Sequence, residues 1–477
     1  MGFTRRRFLT TAAGSAGLAL SRALSASEEA NLPGTFERLG RVAPAAGRDI
    51  QASPLSVGFE VLDRRCFDPA RAYALVADLG VKWARCQTGW CRCETVKGTY
   101  DFAWLDAVVD ALLAGGVTPW FNLGYGNRLY TPDAPDDFAV GWAPVFSEEA
   151  LAGWLRFTEH LARHFKDRVR HWEIWNEPNI SHFWQPEKPN AEDYTRLVAR
   201  TAPVIREHIA DSYLIGAALA GVRIDYLNAC FEQGLGGFVD AISYHPYRAI
   251  PEEGYDRDMT ALRESIATYA PGRKLWQGEN GCPSVGGPES TGALSQLEWD
   301  ETRQAKWLLR RILLDLRYGV ELTSYYHTVD LVGYRGKTNY KGLLRGKDYT
   351  PKPSYFAYQC LCALLDATAR PTELRLELIG QEKVQLQEAH FTRKGEAVYA
   401  YWFPADLQKP WQPRTLSMML GTREDALLDD PVLVDPLSQE IFRLPSAKHS
   451  DGTVIVENVP LRDYPLLITG ARAVPVA

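Results

Sequence analysis

Beyond its first few residues the sequence holds no run of Lys and Arg. Its 53 basic and 59 acidic side chains leave a net charge of −6 over 477 residues. A mildly acidic balance of that kind offers nucleic acid no electrostatic footprint. No window beyond the N-terminal segment reaches the roughly 18 uninterrupted apolar residues of a membrane span. There is no H-E-x-x-H, no G-x-S-x-G and no phosphate-cradling glycine loop, and Gly234-Leu235-Gly236-Gly237 stands too isolated to make a nucleotide site. The eight cysteines fit no zinc framework, because Cys91-Arg92-Cys93 and Cys360-Leu361-Cys362 are C-x-C pairs. No internal repeat, low-complexity tract or flexible linker is found. The expectation is a protein with no nucleic-acid partner, no membrane anchor, no metal and no cofactor; the sequence leaves its oligomeric state open.

What is present is aromatic: 14 Trp, 22 Tyr and 18 Phe within a chain that is 46% hydrophobic. Such a surplus either packs a core or lines a site for flat, weakly charged ligands such as sugars. The length allows two or three domains, since one α/β barrel absorbs about 250 residues or more.

The N-terminus reads as an address. Thr4-Arg5-Arg6-Arg7-Phe8-Leu9 precedes a small-residue apolar stretch and then Ala23-Leu24-Ser25-Ala26, and it resembles a bacterial twin-arginine export signal. No cysteine follows the apolar stretch, so a lipoprotein anchor is not indicated. The resemblance implies a periplasmic or secreted protein with a signal peptide over residues 1–26. Cleavage there removes Arg5, Arg6, Arg7 and Arg22 and no acidic residue, taking the charge from −6 to −10 and disfavouring polyanionic glycans unless local basic loops overrule it. Export permits disulfides, and Cys66 could bridge to Cys91 or Cys93; free thiols are the alternative.

From about residue 54 to 368, short β-rich runs alternate with helical stretches. The pattern predicts strands at Leu55–Val61, Val81–Gln87, Val117–Leu123, Val169–Trp175, Leu214–Ala218, Val239–Tyr244, Lys274–Gly278 and Glu321–Tyr326. Helices fall between them, at Phe102–Ala114, Glu148–Phe165, Ala191–Ile209, Met259–Tyr269 and Thr302–Tyr318. Eight strand–helix units make a (β/α)8 TIM barrel; an open doubly wound sheet would need a glycine-rich loop after its first strand, and none is there. Two long connections, Gly281 to about Asp300 and Asp330 to about Pro353, are expected on the barrel's C-terminal face. Past Pro371 the period changes to two, in Val384-x-Leu386, Ala397-x-Tyr399-x-Tyr401, Val432-x-Val434 and Val454-x-Val456. Hairpin turns are expected at Arg393-Lys394-Gly395-Glu396 and Ser450-Asp451-Gly452-Thr453. The expected fold is therefore α/β, a barrel over 27–370 followed by an antiparallel β-sandwich over 371–477.

Two elements carry chemistry. His171-Trp172-Glu173-Ile174-Trp175-Asn176-Glu177-Pro178-Asn179 ends predicted strand four. Strict alternation puts Glu173, Trp175 and Glu177 on one face and Ile174 and Asn176 on the other, and Pro178 stops the pairing so that Glu177 meets the loop side. Leu275-Trp276-Gln277-Gly278-Glu279-Asn280-Gly281 ends predicted strand seven with a second Glu between glycines that leave room for a ligand. Strands four and seven open to one mouth. Facing carboxylates there can split a glycosidic bond, one protonating the leaving oxygen and the other attacking the sugar carbon.

In this arrangement the chain resembles the clan A, or 4/7, glycoside hydrolases. Trp175-Asn176-Glu177-Pro178-Asn179 with His245-Pro246-Tyr247 is most similar to glycoside hydrolase family 39, and Lys97-Gly98-x-Tyr100-Asp101-Phe102 and Pro351-Lys352-Pro353-Ser354-Tyr355 match it too. The resemblance implies retaining hydrolysis of an oligosaccharide or polysaccharide, with Glu177 as general acid/base and Glu279 as nucleophile. It implies Asn176 at the sugar 2-hydroxyl, His245 and Tyr247 around the nucleophile, and Arg85 holding Glu279 ionised. The carboxyls should stand about 5–5.5 Å apart, against about 8 Å for an inverting enzyme. Asn280-Gly281-Cys282 departs from the commonest family 39 pattern, which puts any carried-over substrate in doubt. Trp90, Trp184, Trp276 and Tyr326, near predicted strand ends, are further candidates for sugar contact. The alternatives are a transglycosylase using the same residues and an inactive carbohydrate-binding or scaffold barrel.

Overall fold

A computed structural model describes residues 36–449 and 452–477. The expected export segment, and Ser450 and Asp451 of the second expected turn, lie outside the described residues.

Eight parallel strands close a barrel: Leu55–Phe59, Trp83–Gln87, Thr118–Leu123, His171–Ile174, Tyr213–Ala220, Ala241–His245, Lys274–Asn280 and Leu322–Tyr325, called barrel strands one to eight. The eighth pairs back onto the first, Leu55 opposite Thr323. Each strand is covered by helices outside and by packed side chains inside, so its residues are buried on both faces. The helices begin where the sequence supplies a cap. Ser147 accepts from the Ala150 amide to start Glu148–Phe165, Asn190 accepts from the amides of Glu192 and Asp193 to start Ala191–His208, and Asp300 accepts from the Arg303 amide to start Glu301–Arg317. Glu148 and Glu149 sit in the first turn of the Glu148–Phe165 helix and Arg163 and His164 in its last, both signs complementing the helix dipole.

The C-terminal part is two antiparallel sheets. The larger has seven strands in the order Arg38–Arg41, Glu440–Arg443, Pro431–Asp435, Leu466–Gly470, Glu396–Trp402, Gln387–Arg393, Ala369–Pro371; the smaller has four, Leu376–Leu378, Arg414–Leu420, Val454–Leu461, Ser446–Lys448. Arg393 pairs with Glu396 across a two-residue turn, in which Lys394 and Gly395 have φ of 52° and 77°, the left-handed pair a tight hairpin needs. Val384–Leu386 is not a strand; pairing begins at Gln387.

The chain does not divide cleanly at residue 370. Arg38–Arg41, expected within the barrel segment, is an edge strand of the larger C-terminal sheet, where Arg38 pairs with Phe442 and its guanidinium reaches Glu440. Barrel and sandwich also share buried polar contacts. Arg310, on a barrel helix and fully buried, binds Glu252 and donates to the Ala405 carbonyl, while Trp402 of the sandwich donates to Glu252. All eight cysteines are free thiols, Cys66, Cys91 and Cys93 included, so the bridge that export would permit is not formed. No described helix is long and apolar enough to cross a membrane.

Candidate active site

The strongest sequence signal folds differently from a simple strand end. Barrel strand four stops at Ile174, and Trp175 and Glu177 then adopt positive φ of 71° and 47°. Non-glycine residues rarely occupy that region, at a cost of about 1–3 kcal/mol each, and such residues gather where geometry is functional. The consequence here is a break in the alternation. Trp175 turns into the core and donates to the Phe183 carbonyl, while Asn176 and Glu177 both face a cavity at the C-terminal mouth of the barrel. The Glu177 amide is held by the Ala218 carbonyl, in a bulge of barrel strand five where Ala217 and Ala218 also have positive φ.

Glu279 arrives from barrel strand seven, which bulges between Gln277 and Asn280. A side chain at Gly278 would approach Ser243 Oγ to 2.3 Å and both Glu173 Oε1 and His245 Nε2 to 3.1 Å; at Gly281 it would lie 2.0 Å from the Tyr326 carbonyl oxygen. These glycines therefore let strand seven press against its neighbours' polar groups; they do not make room for a ligand, as the sequence reading expected.

Arg85 of barrel strand two organises the floor. Its Nη1 donates to Glu279 Oε2 at 2.7 Å, its Nη2 to Asn176 Oδ1 at 2.8 Å, and its Nε to Glu173 Oε2 at 2.9 Å, with a second, shorter contact to the same Glu173 oxygen. Asn122 Nδ2 supports Glu173 Oε2 at 2.9 Å. Tyr247 donates to Glu279 Oε1 at 2.8 Å, and His245 Nδ1 lies 2.9 Å from Glu177 Oε1. Tyr247 thus hydrogen-bonds Glu279, while His245 contacts Glu177 and has a ring nitrogen within 4.8 Å of a Glu279 oxygen as well, so both surround Glu279 as the sequence reading expected. One oxygen of Glu177 and one of Glu279 lie within 4.8 Å of each other.

The two carboxyls are pushed in opposite directions. Burial raises Glu177 above the ordinary carboxyl range and the neighbouring His245 only partly offsets it. Burial acts on Glu279 in the same sense, but His245, the Arg85 guanidinium and the Tyr247 hydroxyl outweigh it, so Glu279 lies below the ordinary range. Such a split favours the protonated form of Glu177 and the ionised form of Glu279, the direction an acid and a nucleophile in one site require. A third carboxyl, Glu60, stands at the end of barrel strand one, 3.3 Å from Arg85. Burial drives it well above the usual range, against the pull of Arg85.

The cavity has a volume of about 350 Å³. Of the residues singled out in the sequence, Arg85, Asn176, Glu177, Tyr247, Glu279 and Tyr326 line it, and His245 lies directly beneath Glu177. Trp90, Trp184 and Trp276 do not. Trp90 stacks between Tyr130 and Phe157 and donates to Glu94; Trp184 is locked edge-on against Trp175, Phe146 and Tyr194; Trp276 packs with Trp120 near the opposite end of the barrel and donates to Glu321. Trp90 and Trp184 are buried because their positions still lie under other loops, and Trp276 because it packs inside the barrel with Trp120, Ile215 and Leu322. The sequence reading missed Glu60, Arg64, Gln87, Asn122, His182, Phe183, Tyr334 and Lys341 as lining residues. Gln87 and Asn122 end predicted strands and so carried a positional signal. Tyr334 and Lys341 lie in the long connection after strand eight, which bridges to the connection after strand seven through Ser290 and Thr338.

The sequence model of glycosyl hydrolases family 39 matches residues 70–274. That span holds Arg85, Asn176, Glu177, His245 and Tyr247 and stops before Glu279. The β-xylosidase of Geobacillus stearothermophilus is 27% identical over 164 residues, 32% of this chain and 31% of the relative, and that of Caldicellulosiruptor saccharolyticus is 28% identical over 165 residues, 31% of each. The match thus spans about a third of the length of these curated relatives. Among solved structures, the family 39 glycoside hydrolase of the gut symbiont Bacteroides cellulosilyticus WH2 aligns with a TM-score of 0.64 at 21% identity, over 87% of this chain and 80% of that one. The monomeric β-xylosidase of Caulobacter crescentus CB15 aligns with a TM-score of 0.58 at 18% identity, over 91% and 97%. These likenesses extend the shared fold across barrel and sandwich together, and with the family match over residues 70–274 they make the chain similar to the clan A glycoside hydrolases, most of all to family 39.

Proposed function

We propose that the protein is an exported retaining glycoside hydrolase that cleaves O-glycosidic bonds by double displacement. The approach of Glu177 and Glu279 to within 4.8 Å carries this reading. That spacing suits direct attack by one carboxylate and is too short for the water that an inverting enzyme seats between carboxyls about 6.5–9.5 Å apart.

In the first step Glu177 gives its proton to the glycosidic oxygen as the C1–O bond breaks, and a Glu279 oxygen bonds to C1 from the opposite face. The alcohol leaves with the Glu177 proton. In the second, Glu177, now a carboxylate, takes a proton from water while the water oxygen bonds to C1 and the C1–Glu279 bond breaks, restoring both groups. Arg85 and Tyr247 keep Glu279 ionised and aimed. Asn176, fixed through its Oδ1 by Arg85, is free to offer its amide nitrogen to a sugar hydroxyl.

Because the curated relatives are named β-xylosidases, aryl β-xylosides are the first substrates to test. Glu279→Ala is expected to abolish turnover, and azide to restore it on an activated aryl glycoside with a glycosyl azide of inverted configuration as product. An azide-insensitive variant that still releases sugar would overturn the assignment. Export rests on the Arg5-Arg6 pair, so changing both to Lys should leave the precursor in the cytoplasm; unchanged export of that variant would refute the twin-arginine reading.

A further inference from the structure

Three buried polar atoms beneath the cavity floor share a property. Glu173 Oε1, Ser243 Oγ and His245 Nε2 make no hydrogen bond among the described residues, and all three residues are 0% exposed. Unpaired polar groups are costly and rare inside a fold, so three together require a physical reason. They converge on one point: a Cβ on Gly278 would lie within 3.1 Å of each of them. Glycine at position 278 leaves that space to the three polar atoms.

The rest of each side chain is already committed. Glu173 Oε2 accepts from Arg85 Nε and Asn122 Nδ2, both at 2.9 Å, which fixes the carboxyl and the direction of Oε1. Ser243 and His245 stand two apart on barrel strand six and share a face, and His245 Nδ1 lies 2.9 Å from Glu177 Oε1. A carboxylate oxygen only accepts, and a serine hydroxyl has one hydrogen to give. A single order of hydrogens therefore satisfies all three atoms. His245 Nε2–H donates to Ser243 Oγ and the Ser243 hydroxyl donates to Glu173 Oε1, each directly or across one buried water.

We propose that Glu173 and Ser243 are positioning residues for Glu177 and act through His245: they hold a hydrogen on Nε2 and supply the counter-charge that lets the ring donate from Nδ1 as well. The inference rests on the glycoside-hydrolase reading of the cavity and deepens it. Glu177 Oε2 has no hydrogen-bond partner among the described residues, and Glu177 lines the cavity. A proton meant for the glycosidic oxygen belongs on that free oxygen, which requires Oε1 to accept from the imidazole. When Glu177 gives its proton up, the Nδ1–H contact to Oε1 becomes charge-assisted at both ends and strengthens. The relay thus eases the first step.

The titratable groups around His245 are Glu173 and Glu177 from strand four and its end, and Glu279 from strand seven. Arg85, Tyr247 and Lys341 act on it one step removed, through those carboxyls. Burial raises Glu177 and His245 opposes it; burial acts on Glu279 in the same sense, and His245 heads the groups that outweigh it. Losing the relay therefore raises both carboxyls together.

The test is the pH dependence of kcat/KM for Ser243→Ala on the best substrate of a panel of phenyl glycosides, beside a crystal structure of the wild-type protein at atomic resolution. Glu279 must be ionised and Glu177 protonated, so the acid and alkaline midpoints are both expected to move up, by about half a pH unit or more. A hydroxyl that only packs would lower activity at every pH and leave the midpoints in place. Unmoved midpoints, or a shift of either to lower pH, would overturn the relay. In the crystal, Ser243 Oγ or one ordered water should lie within hydrogen-bond distance of both Glu173 Oε1 and His245 Nε2. Nε2 bonded to any other group would overturn the proposal even where the variant does not fold. Turnover with unmoved midpoints removes the relay alone; a wild-type protein that holds those bonds and turns over none of the panel removes the hydrolase reading alone.

Discussion

Tyr247→Phe perturbs the site at a single hydrogen bond. The ring stays, so packing is preserved, and what disappears is the hydroxyl that donates to Glu279 Oε1 at 2.8 Å. A hydrogen bond to a charged group is worth about 1.5–3 kcal/mol. It favours only the ionised form of Glu279, so its loss must raise the pKa of that carboxyl. At 1.36 kcal/mol for each tenfold change in the protonation equilibrium, the acid-side midpoint of kcat/KM should move up by about 1–2 pH units. The direction is fixed by roles. Glu279 must be ionised to attack, and its depressed pKa keeps the enzyme active into acid; Glu177 must be protonated to donate, and its raised pKa keeps it active toward neutrality. Tyr247→Phe should narrow the bell from the acid side and leave the alkaline limb in place. The assay is kcat/KM against pH with an aryl glycoside. An acid limb at the same midpoint in both proteins would show that it does not report Glu279, and the reasoning from the Tyr247 contact would fail.

Glu177→Gln keeps size and removes the proton donor. It should cut kcat/KM at least about a hundredfold on substrates with poor leaving groups, far less on dinitrophenyl glycosides, and abolish the alkaline limb; an equal loss of kcat/KM on both substrate types would show that Glu177 is not the acid. Trp184→Ala should lower stability by about 3–5 kcal/mol, read as denaturant midpoint or Tm, with KM little changed, because the side chain packs against Trp175, Phe146 and Tyr194 and not the cavity. A raised KM at full stability would restore its sequence-based role in sugar contact.

The barrel was legible because its signal is redundant: eight β-rich runs, helices between them at amphipathic period and N-caps such as Ser147 and Asn190 all agree. The proximity of Glu177 and Glu279 was legible because strand order alone sends the ends of strands four and seven to one mouth. Alternation failed at Trp175 and Glu177 because their left-handed backbone is imposed by tertiary contacts, the Phe183 carbonyl and the strand-five bulge, that no local pattern encodes. The strand at Arg38–Arg41 was missed for a related reason. Four residues with two arginines become a strand only when a distant edge, Glu440–Arg443, offers them a ladder.

The aromatic surplus and the charge change places between composition and structure. Tryptophan had suggested a sugar platform, yet Trp90, Trp184 and Trp276 are core, and the aromatics at the cavity are Tyr125, Phe183, Tyr247, Tyr326 and Tyr334. That follows from size and polarity. An indole buries more area than any other side chain and needs only one acceptor, which Glu94 supplies to Trp90 and Glu321 to Trp276 inside the fold. A phenol at the mouth keeps a hydroxyl to aim at a carboxylate, as Tyr247 does. Charge shows the opposite trend. Spread thinly along the chain it only argued against nucleic acid and polyanionic glycans, but folding concentrates Glu60, Glu173, Glu177, Glu279, Arg85 and Lys341 around one cavity with a single guanidinium touching three of the four acids. Arg85 contacts three carboxyls at once, and burial pushes Glu60 well above the ordinary range while Glu279, held also by Tyr247, lies below it. The opposite shifts of the acids thus come from too few cations at the floor, where one guanidinium is shared among three carboxyls.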